Sequence, residues 1–386
     1  MTAEASRART EAHLPLSGVV AIELGHVVAA PFAGQALADL GATVVKVENP
    51  AGGDDARQWE PFWHGASATF QSLNRNKLSV AIDIKNPAEQ KRLRGLMAQA
   101  DVVLQNMRPG MVEKFGLDAE TLRRENPALV YCNLGAFGSV GPLRDRPGYD
   151  PLMQAFAGIM SVTGEPGRPP VRVGPSIIDM GAALWCVVGI LAALLRRRET
   201  GEGCTIDASL YEAALAWMTV PIANNLASGR EPGRSGSETP MLAPYKAYEA
   251  QDRYIIIAAG NDNLFRRLCA TIGRPDWAED PRFRTNPDRV ANRSALNALL
   301  DEVIGTAPAA HWVEKLDEAG VPCAPLQSVS EVLNHPQTKA LGIMTPTPDG
   351  AMQLVAMPLR FDGKRPPVRR APPALGADRI DEIRRR

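Results

Sequence analysis

Residues 18–48 read GVVAIELGHVVAAPFAGQALADLGATVVKVE. The opening GVVAIEL (18–24) is an apolar run suited to a strand buried on both faces. Pro31 then opens a helix at a position where its missing N–H costs nothing. That helix runs through FAGQALADLG, stops at Gly41, and gives way to ATVVKVE (42–48), a second strand rich in valine. Strand, helix and strand in this order make a parallel βαβ unit, and the class that follows is α/β.

The pattern continues outward. SVAIDI reads as a strand, PAEQKRLRGLMAQA as a helix, and DVVLQN and ALVYCNL as further strands. An open, mostly parallel sheet binds its ligands beyond the carboxyl ends of the strands. That rule gathers Gly25 to Ala29, Glu48 to Gly53, Lys85, and Asn106 to Gly110 on one rim. Glycine and proline crowd GPLRDRPGYDP (141–151) and GEPGRPPVRVGP (164–175), which read as active-site loops around a short helix. Turn formers in SGREPGRSGSETPMLAP mark a linker, and YKAYEAQDRYIIIAAG beyond it reads as a hairpin opening a smaller α+β domain. The tail carries MQLVAMPLRFDG, read as strands, and a proline-rich run ending in a helix.

With 386 residues, 45% of them hydrophobic, the chain exceeds what one core normally serves, so two domains are expected. Lys plus Arg equals Asp plus Glu at 43 each, which leaves no overall field for nucleic acid or an anionic membrane. Five scattered cysteines without C-x-x-C spacing read as reduced thiols, pointing to a cytoplasmic protein with no metal site. MTAEASRARTEAHLP mixes arginine with glutamate and has no apolar run, so a frayed tail is expected there rather than a secretory signal. Met180 to Leu195 is sixteen residues long, roughly 24 Å of helix against a hydrocarbon core of about 30 Å, and reads as a buried helix rather than a membrane span.

Asp179 stands between the loop VGPSII and this apolar helix, whose far end carries Arg196, Arg197 and Arg198. Two readings are open. Asp179 caps the helix, or it is a carboxylate nucleophile kept ionised by the first-turn amides, with loop N–H groups ready for an oxyanion. His26 and His64 fall near strand ends, but no Ser-His-Asp order is recognisable. Gly25 and Gly34 lie nine residues apart, so the G-x-G-x-x-G dinucleotide fingerprint is missing. Lys46, Lys77, Lys85, Arg108 and Lys114 sit at or near element ends, where a solvated surface charge is the default for any one of them.

HVVAAPFAGQALADLGATVVKVE, LNRNKLSVAIDIKNP, DVVLQNMRPG followed by FGL, RPGYDPLMQAFAGIMSVTGEP and the late GVPCAPLQSVSEVLNHPQ occur in this order. Together they resemble the class III CoA-transferases, the CaiB/BaiF or formyl-CoA transferase family, over nearly the whole chain. The resemblance implies a Rossmann-like large domain built from both chain ends, a small domain between, and a homodimer of two interlocked rings. The expected boundaries are 1–210 for the first part of the large domain, 211–239 for a linker, 240–330 for the small domain, and 331–386 for a segment completing the large one.

The resemblance also implies the chemistry. Asp179 falls thirty residues after Tyr149, the family's spacing between a loop tyrosine and its nucleophilic aspartate. Val28 and Ala29 are expected to line the thiol arm of CoA, Asn49 to lie by the nucleotide, and Ile82 to Lys85 to hold the adenosine end. Asn106, Met107, Arg108 and Lys114 are expected to border the diphosphate, with Tyr149 positioning the nucleophile. Asn49 and Lys114 stand where the formyl-CoA enzyme has arginines, and Pro147 where it has lysine. The expected reaction moves CoA from an acyl-CoA to a free carboxylic acid, with CoA as substrate and no resident cofactor. Two alternatives are an acyl-CoA racemase of the same fold, whose GHD is GYD here, and a catalytically silent CoA-binding protein. The loop AAGNDNLF (258–265) suits the distal carboxylate of a C4 or C5 dicarboxylic acid, with succinyl-CoA as donor, and lacks the glycine run expected for formyl-CoA and oxalate.

Overall fold

The computed structural model describes residues 14–383, so the expected N-terminal tail lies, up to His13, outside the described residues. Six parallel strands form the main sheet: β1 (Val20–Leu24), β2 (Thr43–Glu48), β3 (Lys77–Ala81), β4 (Val102–Gln105), β5 (Val130–Gly135) and β6 (Thr205–Ser209). Their spatial order is β3-β2-β1-β4-β5-β6, every neighbouring pair parallel. This is the doubly wound order, and it reverses direction between β1 and β4, the switch point at which such sheets bind ligands.

The period-2 alternation of side chains divides the strands between two helical layers. Val20, Ile22, Leu24, Val45, Val47 and Val80 join Leu93 and Met97 of α2 (Pro87–Ala98) and Leu122 of α3 (Ala119–Glu125) in one core. On the opposite face α1 (Ala29–Asp39) packs along α5 (Ile177–Thr200), with Ala33, Leu37, Ala182, Cys186 and Ile190 fully buried. Both helices follow a strand and lead to a parallel neighbour, so both begin at the carboxyl rim. Between β5 and α5 lies the short α4 (Asp150–Phe156), and after β6 come α6 (Leu210–Trp217) and α7 (Thr219–Ser228).

The α5 helix has 24 residues, extending beyond the sixteen-residue apolar stretch at both ends, and by length and composition alone would pass for a membrane span. Just over half of its apolar stretch is buried against its neighbours, while Leu184, Trp185 and Val188 are exposed, so it is not buried all round as expected.

The chain divides into two compact units. One holds residues up to Ile159, Arg172–Ser228 and Gln337 onward; the other holds Met160–Val171 and Gly229–Pro336. Residues 211–228, inside the boundaries expected for a linker, are mostly helical in α6 and α7. The segment near the C-terminus runs beside β3: Asn76 N–H donates to the Arg370 carbonyl, and Ser79 N–H to Asp378. It thereby covers a sheet edge that would otherwise present unpaired backbone groups. Of the tail strands expected in MQLVAMPLRFDG, only Gln353–Val355 forms, paired antiparallel with Met344–Pro346, and in place of a terminal helix the described residues hold a single 3-10 turn at Ile380–Glu382.

The second unit carries an antiparallel sheet of β7 (Tyr245–Glu249), β8 (Tyr254–Ala258) and β9 (Cys323–Pro325) over a core of Tyr248, Ile255, Ile257, Phe265, Leu268, Phe283 and Trp312. The fully buried Arg289 donates to the carbonyls of Ala243, Phe283 and Gly260 and to Asp262, which fixes the Gly260–Asp262 turn from beneath.

Candidate active site

Asp179 is the third residue of α5, and the helix has no side-chain cap of its own: Ser176 at the N-cap makes no such bond. The capping reading of Asp179 is therefore overturned. The cap comes from Asp150, the first residue of α4, whose Oδ2 accepts from the Ile178 amide at 2.7 Å and the Asp179 amide at 3.2 Å. Asp150 is only 3% exposed. Gln154 holds it, donating Nε2–H to Oδ1 at 2.6 Å while its own Oε1 accepts from the Val173 amide at 2.8 Å. Gly148 makes the tight approach of the preceding loop possible, because a Cβ there would lie 2.5 Å from Met153 Cε and 2.9 Å from Ala136 Cβ.

With the two amides taken by Asp150, the half-buried Asp179 carboxylate has no hydrogen-bond or ion-pair partner among the described residues. Burial pushes its pKa up to about 7, and the neighbouring Asp150 charge adds to the rise. The expectation that first-turn amides hold Asp179 ionised is thus reversed in direction. Tyr149 occupies the N-cap position of α4 and is 59% exposed.

At the switch point, Asn106 clamps the loop after β1. Its Oδ1 accepts from the His26 amide at 3.0 Å and its Nδ2 donates to the His26 carbonyl at 3.1 Å. Below this loop lies a cluster of buried charges. Lys46, with its side chain 0% exposed, contacts Glu23 at 3.0 Å, Asp54 at 2.8 Å and the Gly25 carbonyl at 2.7 Å. Lys77 contacts the other Glu23 oxygen at 2.8 Å and the Pro31 carbonyl at 2.7 Å. Asp54 Oδ1 accepts from the amide of Val27, a β-branched residue held at φ 70° in the left-handed region. The solvated-surface reading of Lys46 and Lys77 therefore fails. Burial brings the Lys77 pKa down to about 8 even with Glu23 beside it.

This arrangement is a nucleophile candidate at the start of α5 and a strained, clamped loop at the start of the parallel α1, on one rim of a doubly wound sheet. The sequence profile of CoA-transferase family III matches residues 16–379. The chain belongs to that family. It is 38% identical to the acetyl-CoA:oxalate CoA-transferase of Acetobacter aceti, over 95% of this chain and 93% of that protein. It is 39% identical to the succinate–glutarate CoA-transferase of Agrobacterium fabrum, over 85% and 84%. A crystal structure of a CaiB/BaiF family protein from Brucella suis superposes with a TM-score of 0.85 at 39% identity, covering 94% of this chain and 97% of that one.

The expected CoA-contacting residues of this CoA-transferase fall into three groups. Val28 and Ala29 form the turn into α1, half-buried and buried respectively, at the same end of the packed helix pair as Asp179. Lys85, Arg108 and Lys114 are exposed near the ends of β3 and β4. Asn49 is exposed beyond β2, where its side chain accepts from the Ala51 amide in a local turn. Ile82, Asn106 and Met107 are placed differently. The Ile82 side chain belongs to the core, the Asn106 side chain is spent on His26, and Met107 packs partly against the same core.

In the second unit, Asn261 caps α8 (Asp262–Thr271) by accepting from the Leu264 amide, and Asp262 is paired with Arg289. Two of the polar groups expected to face a distal carboxylate are therefore already engaged. The residue that sequence reasoning missed is Asp150. An aspartate followed by proline at a helix start was its only signal.

Proposed function

We propose that this CoA-transferase moves CoA between acids through covalent intermediates on Asp179. In the first half, an Asp179 oxygen attacks the donor thioester carbonyl, the tetrahedral adduct expels CoA thiolate, and a mixed anhydride forms. The thiolate then attacks Cγ of Asp179, expelling the donor acid as a carboxylate and leaving an aspartyl-CoA thioester. The acceptor carboxylate attacks that Cγ, expelling the thiolate, which returns to the acceptor acyl carbon and frees the Asp179 carboxylate. Each bond formed is matched by one broken, and no proton is gained or lost over the cycle.

The observation that carries this reading is the unpartnered, half-buried Asp179 carboxylate at the start of α5. A carboxylate without hydrogen-bond donors is a stronger nucleophile than a solvated one. Exposed basic side chains at Lys85, Arg108 and Lys114 supply local charge for the CoA phosphates. The Agrobacterium relative, named for succinate and glutarate, supports a dicarboxylate donor such as succinyl-CoA. The Acetobacter relative, named for acetyl-CoA and oxalate, returns oxalate to the acceptor panel despite the absent glycine run.

We also propose a homodimer in the cytoplasm that uses no resident cofactor. Leu184, Trp185 and Val188 on α5, with Trp217, Val220 and Leu226 on α6 and α7, are apolar and exposed in the single chain and suit a second copy. The five free cysteines suit a reducing compartment.

The test is incubation with succinyl-CoA and acetyl-CoA against free acids including glutarate and oxalate, followed by mass spectrometry of new thioesters. Native protein should form a new acyl-CoA and Asp179→Ala should not. Exchange undiminished in Asp179→Ala would remove the covalent mechanism, and α-proton exchange without any new thioester would point to a racemase.

A further inference from the structure

In most helices the N-terminal amides are capped by a side chain from the helix itself or the residue before it. In α5 they are capped by a residue from another element, 28 positions away in sequence from Ile178. The capping carboxylate is itself held in place. Asp150 is buried, Gln154 is fully buried behind it, and Gln154 is tied in turn to the backbone of Val173 in the segment leading to α5. Asp150, Gln154 and Val173 thus form one hydrogen-bonded chain that sets where α5 begins.

We propose that Asp150 is a positioning residue for the Asp179 nucleophile: by taking the first-turn amides of α5 from outside the helix, it leaves Asp179 without local donors and holds it beside a second carboxylate. The inference rests on Asp179 being the nucleophile. If Asp150 were absent, the Ile178 and Asp179 amides would be free for the Asp179 carboxylate itself, the usual fate of an acid in a first turn. Such bonds stabilise the ionised form and lower its reactivity.

The other groups near the start of α5 are engaged elsewhere. Asp207 on β6 is held by Asn133, and Glu212 on α6 by Ser209. Arg172 donates to the Val173 and Gly174 carbonyls, and the first turn of α1 carries no acid. Arg197 and Arg198 lie in the last turn of α5 itself. Among the described residues, Asp150 is therefore the charge that bears on Asp179.

The experiment reads Asp179 directly, without requiring that the substrate be known. The infrared band of the protonated carboxyl that disappears in Asp179→Asn is titrated with pH in the native protein and in Asp150→Asn. The asparagine oxygen can still accept from the α5 amides but carries no charge. The native band should titrate near pH 7, and the band in Asp150→Asn about one pH unit lower or more. The acid limb of the rate profile for acyl exchange should move with it, CoA affinity should change less than about twofold, and Asp150→Asn should keep more activity than Asp150→Ala.

A native titration in the ordinary carboxylate range overturns the proposal, as does an unmoved band in a folded Asp150→Asn. Should Asp150→Asn fail to fold, Asp150→Ser, a small uncharged cap, takes its place, and the native titration remains decisive on its own. A band that shifts in a protein that exchanges no acyl group with any acid would leave the Asp150 assignment standing and remove the transferase mechanism instead.

Discussion

Replacing Asp179 by asparagine should stabilise the ligand-free protein, and by an amount that depends on pH. In the unfolded chain an aspartate loses its proton near pH 3.9; in the fold, burial and then Asp150 push Asp179 up to about 7. Between those values the folded state keeps a proton that the unfolded state has shed. Stability therefore falls as pH rises through this window, and the loss is complete above about pH 7. A shift of about 3 units corresponds to ~4 kcal/mol, and water reaching the half-buried carboxylate reduces the expected figure to about 2 kcal/mol. The assay is urea denaturation of native protein and Asp179→Asn at about pH 5 and about pH 8. Using the change in the difference between the two proteins cancels any fixed cost of the amide. About one of the three units is already lost at pH 5, so the variant should gain about 1.3 kcal/mol on native protein between the two pH values. A difference that stays flat across that range would refute the reasoning.

Three further outcomes follow from the geometry. In Gly34→Ala the new Cβ would lie 1.9 Å from the Glu23 oxygen that Lys77 holds in place; denaturation should show a loss of about 3 kcal/mol or more. Asn106→Ala removes both bonds to the His26 backbone; calorimetric titration with CoA should show about tenfold weaker binding alongside a stability loss of about 2 kcal/mol. Arg108→Ala, a surface change, should leave stability within about 0.5 kcal/mol while weakening CoA binding about fivefold, with less of the salt dependence of native protein.

The parallel sheet was legible because strands buried on both faces must be almost wholly apolar, and helices between them must carry a separate period. The buried ion cluster was less so, although its signal was present. VAIEL holds Glu23 inside an apolar run and TVVKVE holds Lys46, with Glu48 at its end, and the parallel register sets Glu23 directly beside Lys46. A lone lysine in a strand reads as a surface residue only until its neighbouring strand is known. Thr205 to Leu226 is legible as a strand followed by a helix, since LYEAALAW is rich in alanine and leucine, and the structure has β6, α6 and α7 there. Asp150 could not be found in the same way. The aspartate-proline pair signals only the start of α4; that the residue caps a different helix is not written in the sequence around either partner, since the contact exists only once α4 is seated against α5.

The two groups of buried acids on this rim differ in how their charge is balanced, and the difference bears on function. Under the loop after β1, Glu23 and Asp54 meet Lys46 and Lys77, two acids with two ammonium groups, and the Lys46 and Lys77 ammonium groups reach the backbone at Gly25 and Pro31. Balanced, hydrogen-bonded charge of this kind lowers the cost of burial and fixes geometry, here that of a loop carrying a strained Val27. Asp150 and Asp179 have no cation between them among the described residues. Burying two acids together without a counter-charge raises the energy of the ionised pair. A stability-driven arrangement would avoid that, and a nucleophile that must attack a thioester and later leave again gains from it. On the mechanism proposed above, the balanced cluster frames the loop expected to face CoA, and the unbalanced pair is where the proposed nucleophile sits.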